Sequence, residues 1–241
     1  MKFFPLLLLF CAPLLSQDLS ASFPDRFIHT MIYESGNIKS FLLPEELVAS
    51  EQFGISYSGV KNKFLISNDI DPEIKEGIKN GLLHFDLKNE ILKNNYSRLT
   101  FSVPEKNFQR QYYFKDSLLI SAPAYFSAGW IIITSRYFEF HVSDPSSINE
   151  YSIKNLDNFV DNISKRLGLS SKDLALLSDK KIKYFLCRDE AEIKNLTGFN
   201  TMGMYYLPYD YLITIYNSHY HELLHLLMNF KLKTLPLYTL P

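Results

Sequence analysis

The 241-residue sequence predicts an α+β fold, a mixed sheet with helices packed on it, and three observations carry that expectation. Runs rich in β-branched and aromatic residues, "RQYYFKDSLLISA" and "WIIITSRYFEFHV", crowd the middle of the chain at strand length. After the turn cluster "SDPSS" the period becomes helical, with Ile153, Leu156, Phe159, Val160, Ile163 and Leu167 on one face. Strand and helix then alternate, ending in the strand "YDYLITIY" and the apolar helix of "NSHYHELLHLL". Composition agrees with a packed core: 46% of residues are hydrophobic and 21% charged, which excludes a disordered chain. A formal net charge of -1 argues against a nucleic-acid partner, because phosphate recognition needs concentrated positive charge.

The first stretch, "MKFFPLLLLFCAPLLSQ", reads as a signal peptide over 1–20. Lys2 supplies a minimal basic start, and Phe3 to Leu15 form an apolar run shorter than the ~20 residues of a membrane span. The chain is therefore expected to be exported, to the periplasm or cell envelope, with no transmembrane helix apart from the leader. Cys11 follows Leu8, Leu9 and Phe10, a weak lipobox in which the bulky Phe10 disfavours a lipid anchor. Without the leader only Cys187 is left, so no internal disulfide can form.

Residues 21–133 predict a β-rich N-terminal region of unassigned role, followed by a second domain over 134–241. Residues 23–56 read as a short strand, a loop and a helical turn, and "NKFLIS" (62–67) as a strand. Asp71, Pro72 and Glu73 open a helix whose apolar stripe is Ile74, Ile78, Leu82, Leu83 and Phe85. A second helical piece is expected over 87–95, then a meander or hairpin set from about 98 to 143. The helix on the Ile153 stripe ends near Gly168, a polar segment follows, and "KIKYFLC" (181–187) is the next strand. "RDEAEIKNLTG" predicts a short helix stopped by Gly198, and Ser218 a cap for the last helix.

That last helix carries His221, Glu222 and His225 in the pattern H-E-x-x-H. A helix places residues i and i+4 on one face, so the two imidazoles can share one metal ion, with Glu222 beside them as a base for water. Leu223, Leu224, Leu226, Leu227, Met228 and Phe230 make the rest of the helix strongly apolar. Ionisable groups on a buried helix need a reason, and a metal supplies one.

On these residues the segment from about 134 to 230 resembles the gluzincin clan of zinc metallopeptidases, most nearly the bacterial peptidase-MA-like family. The resemblance implies a partial zincin-like peptidase domain over 134–241, like the upper subdomain of such an enzyme. It implies Zn2+ as cofactor, held by His221 and His225, with Glu222 as catalytic base and a peptide or protein as substrate. It also implies an edge strand before the active helix that pairs with substrate backbone, a role falling on Tyr211, Leu212, Ile213 and Thr214, with "TGFNTMGMYY" as the neighbouring loop.

The family takes its third zinc ligand from a Glu on the next helix, whereas 226–241 contains no Asp, Glu or His. Two histidines fall short of the three protein ligands that a catalytic zinc normally uses. Three alternatives stay open. The chain is a fragment ending before the third ligand; an upstream group such as His219, Asp210, Glu190 or Glu192 completes the site; or the domain is degenerate, a non-catalytic binding or structural module of the cell envelope. Tyr205, Tyr206, Tyr209, Tyr211 and Tyr216 lie in the same stretch as candidates to stabilise an oxyanion.

Overall fold

The computed structural model describes residues 22–34, 37–57, 63 and 69–234. The expected leader, Cys11 and residues 235–241 lie outside them, as does the "NKFLIS" strand apart from Lys63. The architecture is mixed α+β, with two sheets and several helices.

Two helices occupy the region where a strand and a helical turn were expected. Helix α1 (Phe23–Tyr33) starts with Pro24 in its first turn and buries Phe27, Ile28, Met31 and Ile32, a helical stripe that the aromatic content obscures. Helix α2 (Pro44–Glu51) and helix α3 (Pro72–Lys79) follow; α3 is capped by Asp71 and stops ahead of Gly81, whose φ is +70°. A four-stranded antiparallel sheet comes next, in the order β1 (Asp86–Ile91), β2 (Tyr96–Val103), β3 (Phe108–Lys115), β4 (Leu118–Ile120). Strand β1 corrects the expected helix over 87–95. Its residues favour no strand by propensity, and full-length pairing with β2 decides the outcome.

After the short helix α4 (Ala122–Phe126) the second sheet begins. Its strands are β5 (Ile131–Thr134), β6 (Phe138–Val142), β7 (Ile182–Leu186), β8 (Gly203–Tyr206) and β9 (Tyr211–Thr214), in the spatial order β5-β6-β7-β9-β8. The hairpin set expected over 98–143 is thus divided between two sheets, and the boundary at 133/134 falls inside β5. Strands β6, β7 and β9 run parallel, while β5 and β8 pair antiparallel at the two edges.

The crossover from β6 to β7 contains α5 (Glu150–Leu167) and α6 (Ser171–Lys180). Asn149 caps α5 through the Ser152 N–H at 2.9 Å, and Gly168 ends it at φ +63°. Helix α6 replaces the expected polar segment; Ser170 and Asp173 form its capping box, a start signal that ten residues of weak periodicity leave easy to miss. Helix α7 (Glu190–Thr197) lies between β7 and β8, and helix α8 (Tyr220–Leu232) follows β9.

Side chains along the second sheet alternate between two cores, as a strand period of two requires. Phe185, Tyr211 and Ile213 face a core shared with α1, α3, α7 and the first sheet. Tyr184, Leu186 and Leu212 face the other core, with Leu156 and Val160 of α5, Leu177 of α6 and Leu223, Leu226, Leu227 and Phe230 of α8. The N-terminal half therefore roofs one face of the sheet and the late helices the other. The two halves also meet at the end of α8, where Phe53 packs edge-on against Phe230 and Lys233 accepts from the Ser56 N–H at 3.1 Å through its carbonyl.

Candidate metal centre

Helix α8 starts where β9 ends, at the carboxyl end of the parallel strands. Its N-cap position is held by His219, with no side-chain cap, so the expected cap at Ser218 is corrected. The His219 N–H donates to Tyr184 Oη at 3.0 Å, and the Tyr184 hydroxyl donates to the Tyr216 carbonyl at 2.6 Å. A tyrosine of the central strand β7 thus fixes the entry of the helix. Leu223, Leu226, Leu227 and Phe230 anchor its inner face, each fully buried.

The outer face presents the motif. His221 and His225 turn toward each other, with Nε2 atoms 3.1 Å apart and ring centroids 4.6 Å apart. Two imidazoles on a tetrahedral zinc, each bound at about 2.0–2.1 Å, have nitrogens roughly 3.3–3.4 Å apart. The donor atoms fit a shared ion after a shift of a few tenths of an ångström. The His221 side chain is 71% exposed, so the pair opens to solvent and to an incoming ligand.

Glu222 is held in place. Its Oε2 accepts the Tyr205 backbone N–H at 2.7 Å, and its Oε1 lies 3.9 Å from His221 Nε2. Tyr205 belongs to β8, the edge strand, and this N–H points away from β9. One carboxylate oxygen is therefore anchored to the sheet edge while the other lies near the imidazoles.

The edge strand differs from the expected one. Tyr211, Leu212, Ile213 and Thr214 form β9, which pairs with β7 on one side and β8 on the other, and all four are buried. They cannot offer free backbone groups to a substrate. The edge strand on this side of the sheet is β8, within the segment expected to be a loop. Gly203 opens it, where a Cβ would overlap the His219 ring and come within 2.7 Å of Thr214 Oγ1. His219 Nδ1 also contacts Thr214 Oγ1 at 3.0 Å, and burial pushes its pKa down against the opposing pull of Glu222.

None of the four proposed completing groups joins the histidine pair. Asp210 is fully buried, in the turn between β8 and β9. Glu192 accepts from the Arg188 N–H at 2.7 Å and from Ser143 Oγ at 2.8 Å, and Glu190 opens α7. Among the described residues no group of three His, Cys, Asp or Glu side chains is placed to hold a metal. Of the candidate tyrosines, Tyr209 and Tyr211 stack in the core at 5.0 Å, whereas Tyr216 is exposed with its ring 5.3 Å from His219.

Lys63 escaped sequence reasoning, and Tyr205 and Asp210, named there as an oxyanion candidate and a completing ligand, are paired with each other instead. Tyr205 donates its hydroxyl to Asp210 Oδ1, and Lys63 Nζ donates to Asp210 Oδ2 at 2.8 Å. Lys63 and Asp210 are 3% and 0% exposed, so this is an ion pair inside the protein. Nothing in the local sequence signals a contact across 147 positions.

No protein-family model matches the chain, and no curated protein or solved structure is significantly similar to it. No helix among the described residues is long and apolar enough to cross a membrane.

Proposed function

We propose that the chain carries an exported zinc-dependent peptidase site of gluzincin type, incomplete among the described residues, with His221 and His225 as metal ligands and Glu222 as the base. The reading is carried by one observation: the two Nε2 atoms converge to 3.1 Å beside a carboxylate tied to the sheet edge. Zinc bound there would supply Lewis acidity toward a peptide carbonyl and lower the pKa of water.

The protein's own groups have separate tasks. Glu222, with Oε2 occupied by the Tyr205 N–H, keeps Oε1 free to accept a proton from water and return it to the leaving amine. Strand β8, antiparallel and at the edge, lines the site but keeps its Tyr205 N–H for Glu222 and its Gly203 N–H and carbonyl for Thr201 Oγ1. Packing of α8 against α5 and the sheet holds both histidines on one rigid element, which favours fixed metal geometry. A third protein donor is not among the described residues, so zinc affinity is the deciding quantity.

Metal analysis of the purified chain tests this directly. About one zinc per chain at micromolar zinc, with hydrolysis of a mixed peptide library that Glu222→Gln abolishes, supports the peptidase. Less than about 0.2 zinc per chain would sink it and leave the non-catalytic envelope module.

A further inference from the structure

Tyr205 is gripped at both ends. Its backbone N–H holds Glu222 at 2.7 Å, and its hydroxyl, buried with the rest of the side chain, donates to Asp210. Asn229 of α8 lies beside that hydroxyl. Asp210 sits in the left-handed region at φ +58°, which aspartate adopts more readily than most residues. Its other carboxylate oxygen accepts from Lys63, whose ammonium also donates to the Ile55 carbonyl at 3.0 Å. A buried ion pair is weak evidence for stability, since an apolar pair of similar volume stabilises as well or better. Its placement is more informative than its energy. It fixes the carboxylate that fixes Tyr205, and Tyr205 fixes Glu222.

We propose that Asp210, with Lys63 as its counter-charge, positions Glu222 through Tyr205, so that the N-terminal half of the chain supplies a positioning group to the candidate centre. Its catalytic consequence rests on the peptidase reading; the clamp itself does not. Tyr205, Asp210 and Lys63 touch no reacting atom and act only through the carboxylate they orient. Burial pushes the Asp210 pKa up, and Lys63 opposes that rise.

The experiment is site-resolved amide hydrogen exchange on the full chain, read at position 205 with Phe140 and Phe185 as references in β6 and β7. Glu222→Ala sets the rate expected when the amide loses its acceptor. Tyr205→Phe and Lys63→Met should each speed exchange at 205 by about tenfold or more, with Phe140 and Phe185 unchanged. The double variant Lys63→Met/Asp210→Asn removes both charges but keeps an acceptor for the tyrosine hydroxyl, and should restore protection to within about threefold of wild type. Wild-type protection at 205 in either single variant overturns the proposal. So does equal acceleration at all three amides, because the pair would then hold only the fold, and so does a double variant no better protected than Lys63→Met. Peptide hydrolysis is read in parallel, where Tyr205→Phe should lower kcat about tenfold with KM within about twofold. A wild type without hydrolysis removes the peptidase reading and leaves the exchange result to decide the clamp.

Discussion

The carboxylate of Glu222 accepts the backbone N–H of Tyr205 at 2.7 Å, which ties the helix of the histidines to the edge of the sheet. Glutamine at 222 can keep that hydrogen bond through its carbonyl oxygen but cannot take a proton. Glu222→Gln should therefore fold and bind zinc like wild type while hydrolysis falls by about 10²–10⁴. Thermal melts and metal titration, run beside the activity assay, check the three expectations together.

The Nε2 atoms of His221 and His225 lie 3.1 Å apart, and on the proposed reading each gives one donor to zinc. Removing either leaves a single imidazole, so His221→Ala and His225→Ala should each weaken zinc binding by more than about 100-fold. Isothermal titration with zinc measures it. His221 is largely exposed, so its replacement should change stability by less than about 0.5 kcal/mol.

Gly203 faces the His219 ring with no room for a methyl group. Gly203→Ala should cost about 1–3 kcal/mol through forced displacement of the ring or of β8. Thr214 Oγ1 lies in the same path at 2.7 Å, so His219→Ala should recover only part of the loss. Urea denaturation of the single and double variants gives the coupling.

Asp157 of α5 ties its helix to the β5–β6 turn, accepting from Ser135 Oγ at 2.9 Å, the Tyr137 N–H at 3.1 Å and the Arg136 N–H at 3.2 Å. Asp157→Ala leaves two backbone donors and a hydroxyl without this acceptor, and should destabilise by about 2–3 kcal/mol in urea unfolding.

Glu139 has its pKa lowered, first by the hydrogen bond from His141 at 2.7 Å and further by Lys183, while partial burial opposes the shift. A carboxyl with a folded pKa below its unfolded value adds stability above the unfolded value, and loses it as pH falls through the folded one. Between about pH 6 and pH 3 the wild type should therefore lose more stability than Glu139→Gln, as urea midpoints across that range will report.

Long periodic elements were legible from the sequence, and non-local ones were not. The stripe through Leu156 and Val160 gave α5, and Gly198 at φ +83° ends α7 where its position in the chain suggests. Strand β1 was not legible, because "DLKNEI" becomes a strand only through its register with β2. The histidine pair followed from i, i+4 spacing alone, since helix geometry is local. The edge assignment failed because it depends on strand order: β8 lies outside β9 although it precedes it in the chain. The paired tyrosines of "GMYY", a residue type that strands favour, were the available hint of that strand.

The contact of Ser56 with Lys233 joins positions 177 residues apart, and the pair Lys63–Asp210 spans 147. Chains dominated by such distant pairings fold slowly, because the loop must close before any contact rewards it. Helix α8 can form its backbone hydrogen bonds early, but Phe53, which packs against its last turn, must return from the far end of the chain. Of the whole assembly, the histidine pair needs only the helix, and the anchoring of its neighbouring carboxylate has to await the arrival of residues synthesised long before it.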